Sequence, residues 1–143
     1  MVVERHIVRG CSGIARAVGD DPDQRLVGGD LAGGARSRWI RLCPADQHPD
    51  LADRPIVVGP NGWDNALFRL GGDLVVRLPR RQLSARLVEH ELRWLPELGP
   101  SLPLPVPVPV RAGRPAEGFP WCWSVGPWFA GAAAAYAPLT DPS

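Results

Sequence analysis

One arginine and one glutamate are the side chains of this sequence whose types and spacing suggest shared chemistry. Arg77 lies near the end of the apolar run Leu-Val-Val-Arg-Leu at residues 74–78, and Glu91 lies in the helical pattern that follows. A carboxylate on the core-facing side of a helix costs free energy unless a cation pairs with it, and Arg77 is the nearest candidate in the preceding strand. A glycine-bearing turn at residues 61–65 comes before both. Backbone N–H groups in such turns suit anionic oxygens, so the three features favour a site that holds an anion.

The element that must position Glu91 is an amphipathic helix, which the sequence predicts over Gln82–Leu98. Its apolar residues recur at spacings of three and four, which predicts that they face the core. This predicted stripe contains Leu83, Leu87, Trp94, Leu95 and Leu98, with Glu91 among them. Pro96 predicts a break or kink near Trp94 or Leu95. The remaining charged residues are expected to form a solvated face (Arg86, Glu89, His90, Arg93 and Glu97).

Short β-rich runs flank this helix. Strands are predicted at residues 55–58, 66–70 and 73–78, with Gly71-Gly72 as a two-residue hairpin turn and not a phosphate loop. Residues 101–110 alternate proline with Leu or Val, which favours an extended segment. That segment is at best an edge strand, or a docking peptide for a proline-binding partner.

After a predicted turn at residues 112–115, the run at residues 120–125 predicts a returning strand, and residues 126–131 a linker. The sum is an α+β fold in which a five-stranded antiparallel sheet packs against one helix.

Composition limits the classes of function. The chain has 143 residues with 45% hydrophobic residues, which is enough for one packed domain. A net charge of +1 argues against a dedicated nucleic-acid binder. The sixteen basic residues are all arginine, so any permanent cation must be Arg. The three scattered cysteines predict free thiols in a reducing compartment, and no zinc or other metal site is expected.

The ends of the chain are predicted to differ from its middle. Residues 1–37 are expected to be a disordered or weakly structured leader, residues 38–131 the folded unit, and residues 132–143 an Ala-rich tail. Charged residues near the start argue against a secretory signal. The uncharged segment at residues 118–140 is long enough to span a membrane, but its prolines, glycines and strand-like alternation disfavour a span. A cytoplasmic location without membrane contact is therefore predicted.

Five ordered blocks carry a family resemblance. They are NGWDNALFRL (61–70), LVVRLPR (74–80), EHELRWLP (89–96), LPLPVP (102–107) and GFPWCWSV (118–125). In this order they resemble the aminoglycoside phosphotransferase family of kinase-like enzymes, over about residues 39–131. The family transfers the γ-phosphoryl group of a nucleoside triphosphate to a hydroxyl of a small molecule. The resemblance implies the fold of a protein-kinase-like N-terminal lobe.

The resemblance also implies roles for particular residues. Arg77 takes the position of the strand cation that contacts phosphate, which is normally lysine in protein kinases, and Glu91 that of the carboxylate that orients it. The other implied nucleotide-binding residues form the turn over the phosphates, the adenine slot and the hinge that hydrogen-bonds the base. They are Gly62, Trp63 and Asn65 in the turn, Leu67 and Val75 in the slot, and Pro127, Trp128 and Phe129 in the hinge.

The sequence also departs from the family pattern. The catalytic His-x-Asp block, its following Asn and the later metal-binding Asp belong to a second lobe, and none of them follows the hinge here. We therefore expect a truncated lobe that lacks the C-terminal catalytic lobe, has no catalytic or metal-ligating residue and is inactive alone. ATP, or another nucleoside triphosphate, with Mg²⁺ is the expected cofactor, bound weakly, and a small-molecule acceptor needs the second lobe. His48-Pro49-Asp50 imitates the catalytic spacing but precedes the first strand, so it is expected to be an ordinary loop.

Plainer interpretations stand beside these. The pair of Arg77 and Glu91 could be purely structural, and the turn with Trp63 and Asn65 could simply carry one exposed aromatic. Packing is favoured over nucleic-acid stacking for Trp121, Trp123 and Trp128. Three functions follow: a nucleotide-binding lobe, a non-catalytic remnant that keeps the fold, or a protein-interaction module. An apolar hinge face is also expected to be exposed and to promote association (Trp121, Trp123, Val125, Trp128 and Phe129).

Overall fold

The computed structural model describes residues 46–60, 62–116 and 119–132. Its strands are β1 (Ile56–Val58), β2 (Asn65–Leu70), β3 (Leu74–Pro79), β4 (Arg111–Gly113) and β5 (Trp123–Pro127). One α-helix, α1 (Gln82–Leu98), lies between β3 and β4, and short 3₁₀ turns cover Pro49–Leu51 and Gly99–Ser101. The predictions for residues 1–37 and 133–143 lie outside the described residues.

The five strands form one sheet in the order β1-β2-β3-β5-β4, and every neighbouring pair is antiparallel. Helix α1 packs against β3 and β5. The predicted α+β fold, a five-stranded antiparallel sheet with one packed helix, is therefore confirmed. The hairpin between β2 and β3 turns at Gly71, whose φ of +66° suits glycine because it has no Cβ.

Alternation along the strands divides the sheet into two faces. Val58, Phe68, Val76 and Val125 are paired across four strands, so they share one face. Phe68, Val76 and Val125 belong to the main buried cluster, whereas Val58 in the edge strand is exposed. The cluster contains Leu51, Ala66, Phe68, Leu70, Val76, Ala85, Phe119, Trp121, Trp123 and Val125. A second cluster joins α1 to β4 and to the residue before β5 through Val88, Leu92, Ala112 and Cys122.

The predicted core-facing stripe of α1 is wrong. Leu83, Leu87, Trp94 and Leu98 are 60%, 46%, 45% and 52% exposed. The buried face consists instead of Ser84, Ala85, Val88 and Leu92. Two apolar stripes lie side by side on this helix, and the sheet takes the one with smaller side chains, which allow the helix axis to approach more closely.

The bounds of three elements also differ from the predictions. Helix α1 continues through Pro96 to Leu98, so the predicted break does not occur. No strand forms in residues 102–110, and the edge strand is Arg111–Gly113, where a turn was predicted to begin. Strand β5 begins at Trp123 and includes Gly126 and Pro127, two residues of the predicted linker.

The prediction of an exposed hinge face is wrong for three of its five residues, which are buried. Trp121, Trp123 and Val125 are 5%, 0% and 0% exposed, which confirms packing for the first two tryptophans. Phe129 is 50% exposed. Four of the ten exposed large hydrophobic residues in the described part of the chain lie on α1.

Cys122 contradicts the prediction of three free thiols. It is 1% exposed and disulfide-bonded. The other two cysteines of the sequence, Cys11 and Cys43, lie outside the described residues. Among the described residues, none of the helices has both the length and the hydropathy that a membrane span requires.

Candidate functional site

Strand pairing places three of the predicted site residues on one face of the sheet. Leu67, Arg77, Ser124 and Ala112 are paired in a row across β2, β3, β5 and β4. Val75, paired with Arg69 and Gly126, lies in the next row on the same face. Since successive side chains alternate between faces, Leu67, Val75 and Arg77 share the face opposite to Phe68 and Val76.

Arg77 and Glu91 form the predicted ion pair. Nη1 of Arg77 donates to Oε2 of Glu91, and the two side chains are 30% and 29% exposed. Helix α1 therefore holds the guanidinium of β3 from one side. A pair at this depth is partly desolvated, so removing one partner costs more than at an open surface.

Asn65 holds the same guanidinium from a second side. With its amide oriented so that the oxygen faces Arg77, that oxygen accepts from Nε and from Nη2, each at 3.3 Å. A guanidinium has five N–H groups, and these contacts with Glu91 and Asn65 engage three of them. The remaining two can donate to an anion without breaking either contact.

The turn before β2 is fastened to the end of β3. Gly62 N–H donates to the Asn65 carbonyl at 3.1 Å. Arg80 donates from its side chain to the Gly62 carbonyl at 2.9 Å and from its backbone N–H to the Asp64 carbonyl at 2.8 Å. The side chain of Trp63 is 74% exposed, with the Arg81 guanidinium 5.8 Å from its ring centre. The backbone of the turn is therefore ordered, while its aromatic side chain projects into solvent.

Asp64 belongs to this site, and the sequence analysis missed it. Its Oδ1 accepts from Arg81 Nε at 2.9 Å, from Arg81 Nη2, and from Ser84 Oγ at 3.1 Å. Arg81 donation lowers the pKa of Asp64 most; Ser84 and the nearby charge of Arg77 lower it further, whereas burial opposes the shift. One signal could have found it: the first turn of α1 has no acidic residue and no capping side chain of its own, so a carboxylate from elsewhere was to be expected.

The lowered pKa of Asp64 predicts acid sensitivity. Because the folded-state pKa lies below the unfolded one, the stability that this group contributes is full above the unfolded pKa of about 3.9 and is lost as pH falls through the folded value. The difference in unfolding free energy between wild type and Asp64→Asn should therefore shrink between pH 6 and pH 3, measured by urea unfolding at both. An equal difference at the two pH values would contradict the prediction.

The predicted hinge lies at the end of β5. Pro127 pairs with Leu74 and has no N–H, and Trp128 N–H donates to the Asp73 carbonyl at 2.8 Å. The Arg69 guanidinium lies 5.2 Å from the Trp128 ring centre. Among these three hinge residues, only the N–H of Phe129 lacks a hydrogen-bond partner in the described part of the chain. The hinge follows β5, which pairs with β3, the strand that carries Arg77.

The described residues do not form a metal centre. No group of three His, Cys, Asp or Glu side chains among them could hold a metal ion. The two carboxylates at the site, Asp64 and Glu91, are each bonded to an arginine.

His48-Pro49-Asp50 lies in a turn against the edge of the sheet, as expected for an ordinary loop. His48 is 7% exposed, with Nε2 3.0 Å from the Ala112 carbonyl oxygen. Its ring packs edge-on against Trp123, with 5.8 Å between ring centres. Asp50 accepts from Arg111 at 3.2 Å. Both side chains thus have structural partners.

Comparison with known structures supports the fold. The GDP complex of wild-type aminoglycoside 2'-phosphotransferase-IIIa is similar, with a TM-score of 0.60 and 22% identity, over 66% of this chain and 31% of that one. The GDP and kanamycin complex of APH(2")-IIia has a TM-score of 0.61 and 22% identity, over 70% of this chain and 35% of that one. The chain thus spans about a third of the length of these structures. No curated protein matches the sequence.

A sequence model described as the phosphotransferase enzyme family matches residues 56–142. This match covers more than half of the chain and includes all five strands and α1. The matched region includes the ion pair of Arg77 and Glu91 and the sheet that carries Arg77. The chain belongs to the phosphotransferase enzyme family.

Proposed function

We propose that this chain is the nucleotide-binding lobe of a small-molecule phosphotransferase of the aminoglycoside type. ATP or another nucleoside triphosphate would bind on the face of the sheet that carries Leu67, Val75 and Arg77. The observation that carries the proposal is the Arg77 guanidinium, which Glu91 and Asn65 hold from two sides while two of its N–H groups stay outside those contacts. A fixed guanidinium that can still donate suits a phosphate.

The turn would add backbone donors to this cation. Gly62 N–H is used within the turn. The N–H groups of Trp63 and Asp64 have no partner in the described part of the chain. Donors of this kind are suited to anionic oxygens, so these two are the N–H groups that we assign to the triphosphate.

The base would lie between the sheet and the hinge. Leu67 and Val75 offer apolar side chains on the face of Arg77, and the hinge follows β5 at the end nearer to Val75. Phe129 N–H and the Pro127 carbonyl are the backbone groups that we assign to the base edge, because Trp128 N–H is already bonded to Asp73. Bound Mg²⁺ would have to be carried by the phosphates and by ligands outside the described residues.

A nucleotide titration tests this proposal. At a free concentration one hundred times Kd, a ligand stabilises the folded state by about 2.7 kcal/mol, which corresponds to a rise in Tm of roughly 10–20 °C for a domain of this size. We expect such a rise with ATP or GTP in the presence of Mg²⁺, and none with adenosine or guanosine at equal concentration. No rise at millimolar concentrations of either triphosphate would contradict the proposal.

The proposal also includes inactivity of this chain by itself. Phosphoryl transfer needs a positioned base and metal-binding carboxylates, and the sequence after the hinge offers no His-x-Asp block. We expect purified chain, Mg²⁺, triphosphate and kanamycin to give no phosphorylated product by mass spectrometry. Turnover above a sample without protein would contradict this part.

A second candidate function is a protein-interaction module. The exposed stripe of α1, formed by Leu83, Leu87, Trp94 and Leu98, is the observation that favours it. Association of the purified chain without any nucleotide response would support this alternative. Size-exclusion chromatography alongside the titration therefore separates the two.

A cytoplasmic location is part of the proposal because nucleoside triphosphates are available there. The disulfide at Cys122 argues against it, since such bonds rarely persist in a reducing compartment. Alkylation under denaturing conditions decides between a reducing and an oxidising compartment, provided that the protein is taken directly from cells. Labelled Cys122 would support the cytoplasmic location, and unlabelled Cys122 would contradict it.

A further inference from the structure

The N-terminus of α1 is completed by a side chain from a distant part of the chain. Arg81, at the N-cap, makes no capping hydrogen bond through its side chain, and the first turn contains no acidic residue. The N-terminus of a helix carries a partial positive charge, which a nearby carboxylate stabilises. Asp64, from the turn before β2, places its carboxylate there and accepts from Arg81 and from Ser84.

The same turn also contacts the far end of the site. Asn65, next to Asp64, accepts from Arg77, and Arg77 is bonded to Glu91, about three turns along α1. The contacts therefore link the turn to the start of the helix through Asp64, the helix to Arg77 through Glu91, and Arg77 back to the turn through Asn65. Each of these groups is joined to the next by a hydrogen bond or by the helix itself.

We propose that Asp64 is a positioning residue for the nucleotide site, whose carboxylate fastens the turn at residues 62–65 to the start of α1. The turn, the helix and the pair of Arg77 and Glu91 then move as one unit. This inference rests on the proposed nucleotide-binding function and adds to it a side chain, the Asp64 carboxylate, that sets the geometry of the site without itself contacting the nucleotide.

The energetics separate this role from a general contribution to folding. The pair of Asp64 and Arg81 is half-exposed, with side chains 42% and 40% accessible. Half-exposed ion pairs add little to global stability because solvent screens them. Ser84, however, donates its hydroxyl to the same carboxylate oxygen and is fully buried, so solvent screens this contact less than the ion pair. The effect of losing the carboxylate should therefore be local, in the turn and the first turn of α1.

The alternative role of Asp64 predicts the opposite sign. If its carboxylate were only a negative charge beside the phosphates, Asp64→Asn would remove a repulsion and strengthen triphosphate binding. If the carboxylate positions the turn, the same substitution weakens binding. We expect about a tenfold higher Kd, which lies in the usual range of coupling between sites.

The test combines calorimetric titration with hydrogen–deuterium exchange on the full chain. Without nucleotide, Asp64→Asn should raise exchange in the turn and at the start of α1, while the same substitution at Asp50 serves as the matched control. Asp50 also accepts from one arginine, Arg111, and its side chain is 56% exposed. Asp50→Asn should leave both exchange at these two segments and nucleotide affinity unchanged.

A double variant separates positioning from helix capping. Asp is among the preferred N-cap residues, so Asp64→Asn combined with Arg81→Asp gives α1 a cap of its own. We expect exchange at the start of α1 to return to the wild-type rate while the turn stays mobile and the affinity stays low. Recovery of affinity together with the helix would show that Asp64 only caps the helix, which would overturn the proposal.

Two other results would also overturn it. Tighter triphosphate binding by Asp64→Asn would identify the carboxylate as a repelling charge. Unchanged exchange in the turn and at the start of α1 would show that Asp64 does not couple these two segments. If the wild-type chain binds no nucleotide, the proposed function fails and the nucleotide role of Asp64 fails with it. The exchange comparison still decides whether the turn and the helix are coupled, so the two failures are distinguishable.

Discussion

Replacing Arg77 by alanine is expected to abolish the rise in Tm that ATP or GTP produces in the wild-type chain. The substitution removes the cation that we assign to the phosphates and the only group that pairs with Glu91 in the described residues. It leaves a carboxylate on α1 that is 29% exposed without its partner, facing the site where the phosphates would lie. Both effects disfavour an anionic ligand.

The matched control for this variant is Arg111→Ala. Arg111 is also a strand arginine that donates to a carboxylate, here Asp50 at 3.2 Å, but it lies in the edge strand β4, two strands away from β3. Its loss should lower the Tm of the free protein without reducing the increment that nucleotide adds. An equal nucleotide response in wild type and Arg77→Ala would contradict the proposed role of Arg77.

Stability of the free Arg77→Ala protein distinguishes the structural interpretation from the functional one. The pair lies between an exposed pair, which contributes about 0–1 kcal/mol, and a fully buried one, whose disruption costs about 3–5 kcal/mol. We expect a loss of about 1–2 kcal/mol in urea unfolding. If the pair is purely structural, Arg77→Ala shows this loss of stability, and nucleotide does not raise the Tm of the wild type.

Gly113→Ala is expected to destabilise the protein more than alanine at any other described glycine. A Cβ at this position would lie 1.7 Å from Cε2 and 2.0 Å from Cδ2 of Trp123. That ring is completely buried and is held by Nε1 donation to the Arg114 carbonyl at 3.2 Å. Because neither the strand nor the ring can yield cheaply, we expect a loss of about 3 kcal/mol or more, the upper range for overpacked cores.

Gly72→Ala provides the control for the same chemical change. A Cβ at Gly72 would meet no atom within 4 Å, and its φ is not positive. The substitution should therefore change the unfolding free energy by less than about 1 kcal/mol. Urea unfolding followed by tryptophan fluorescence measures both variants. A Gly113→Ala protein within about 0.5 kcal/mol of wild type, the scatter of neutral substitutions, would contradict the prediction.

Local patterns predicted most of the fold. The Gly71-Gly72 hairpin, the strands on either side of it and the helix over Gln82–Leu98 all form, because turn residues and hydrophobic periodicity act over short distances. The strand predictions were poorest after residue 100. Alternating prolines remove ladder donors there, so pairing begins only at Arg111, beyond the last of those prolines.

The contacts around Arg77 were predicted in part. The pairing of Arg77 with Glu91 followed from one charge on an apolar helix and one at the end of an apolar strand, and the structure brings them together. Asp64 and its partners Arg81 and Ser84 were not found, because the three residues come from two elements whose approach depends on how the helix lies on the sheet. The face of α1 was misassigned for the same reason.

Taken alone, the sequence determined the hairpin of β2 and β3, the presence of the helix that follows it, and which cation and carboxylate pair. These properties depend on turn chemistry, periodicity and the cost of an unpaired charge, all of which are local or nearly so. The tertiary structure alone decided which of two apolar stripes on α1 meets the sheet and which carboxylate completes the start of that helix. Both outcomes depend on close packing between elements distant in the chain, and a pattern along one element does not contain the shape of its partner.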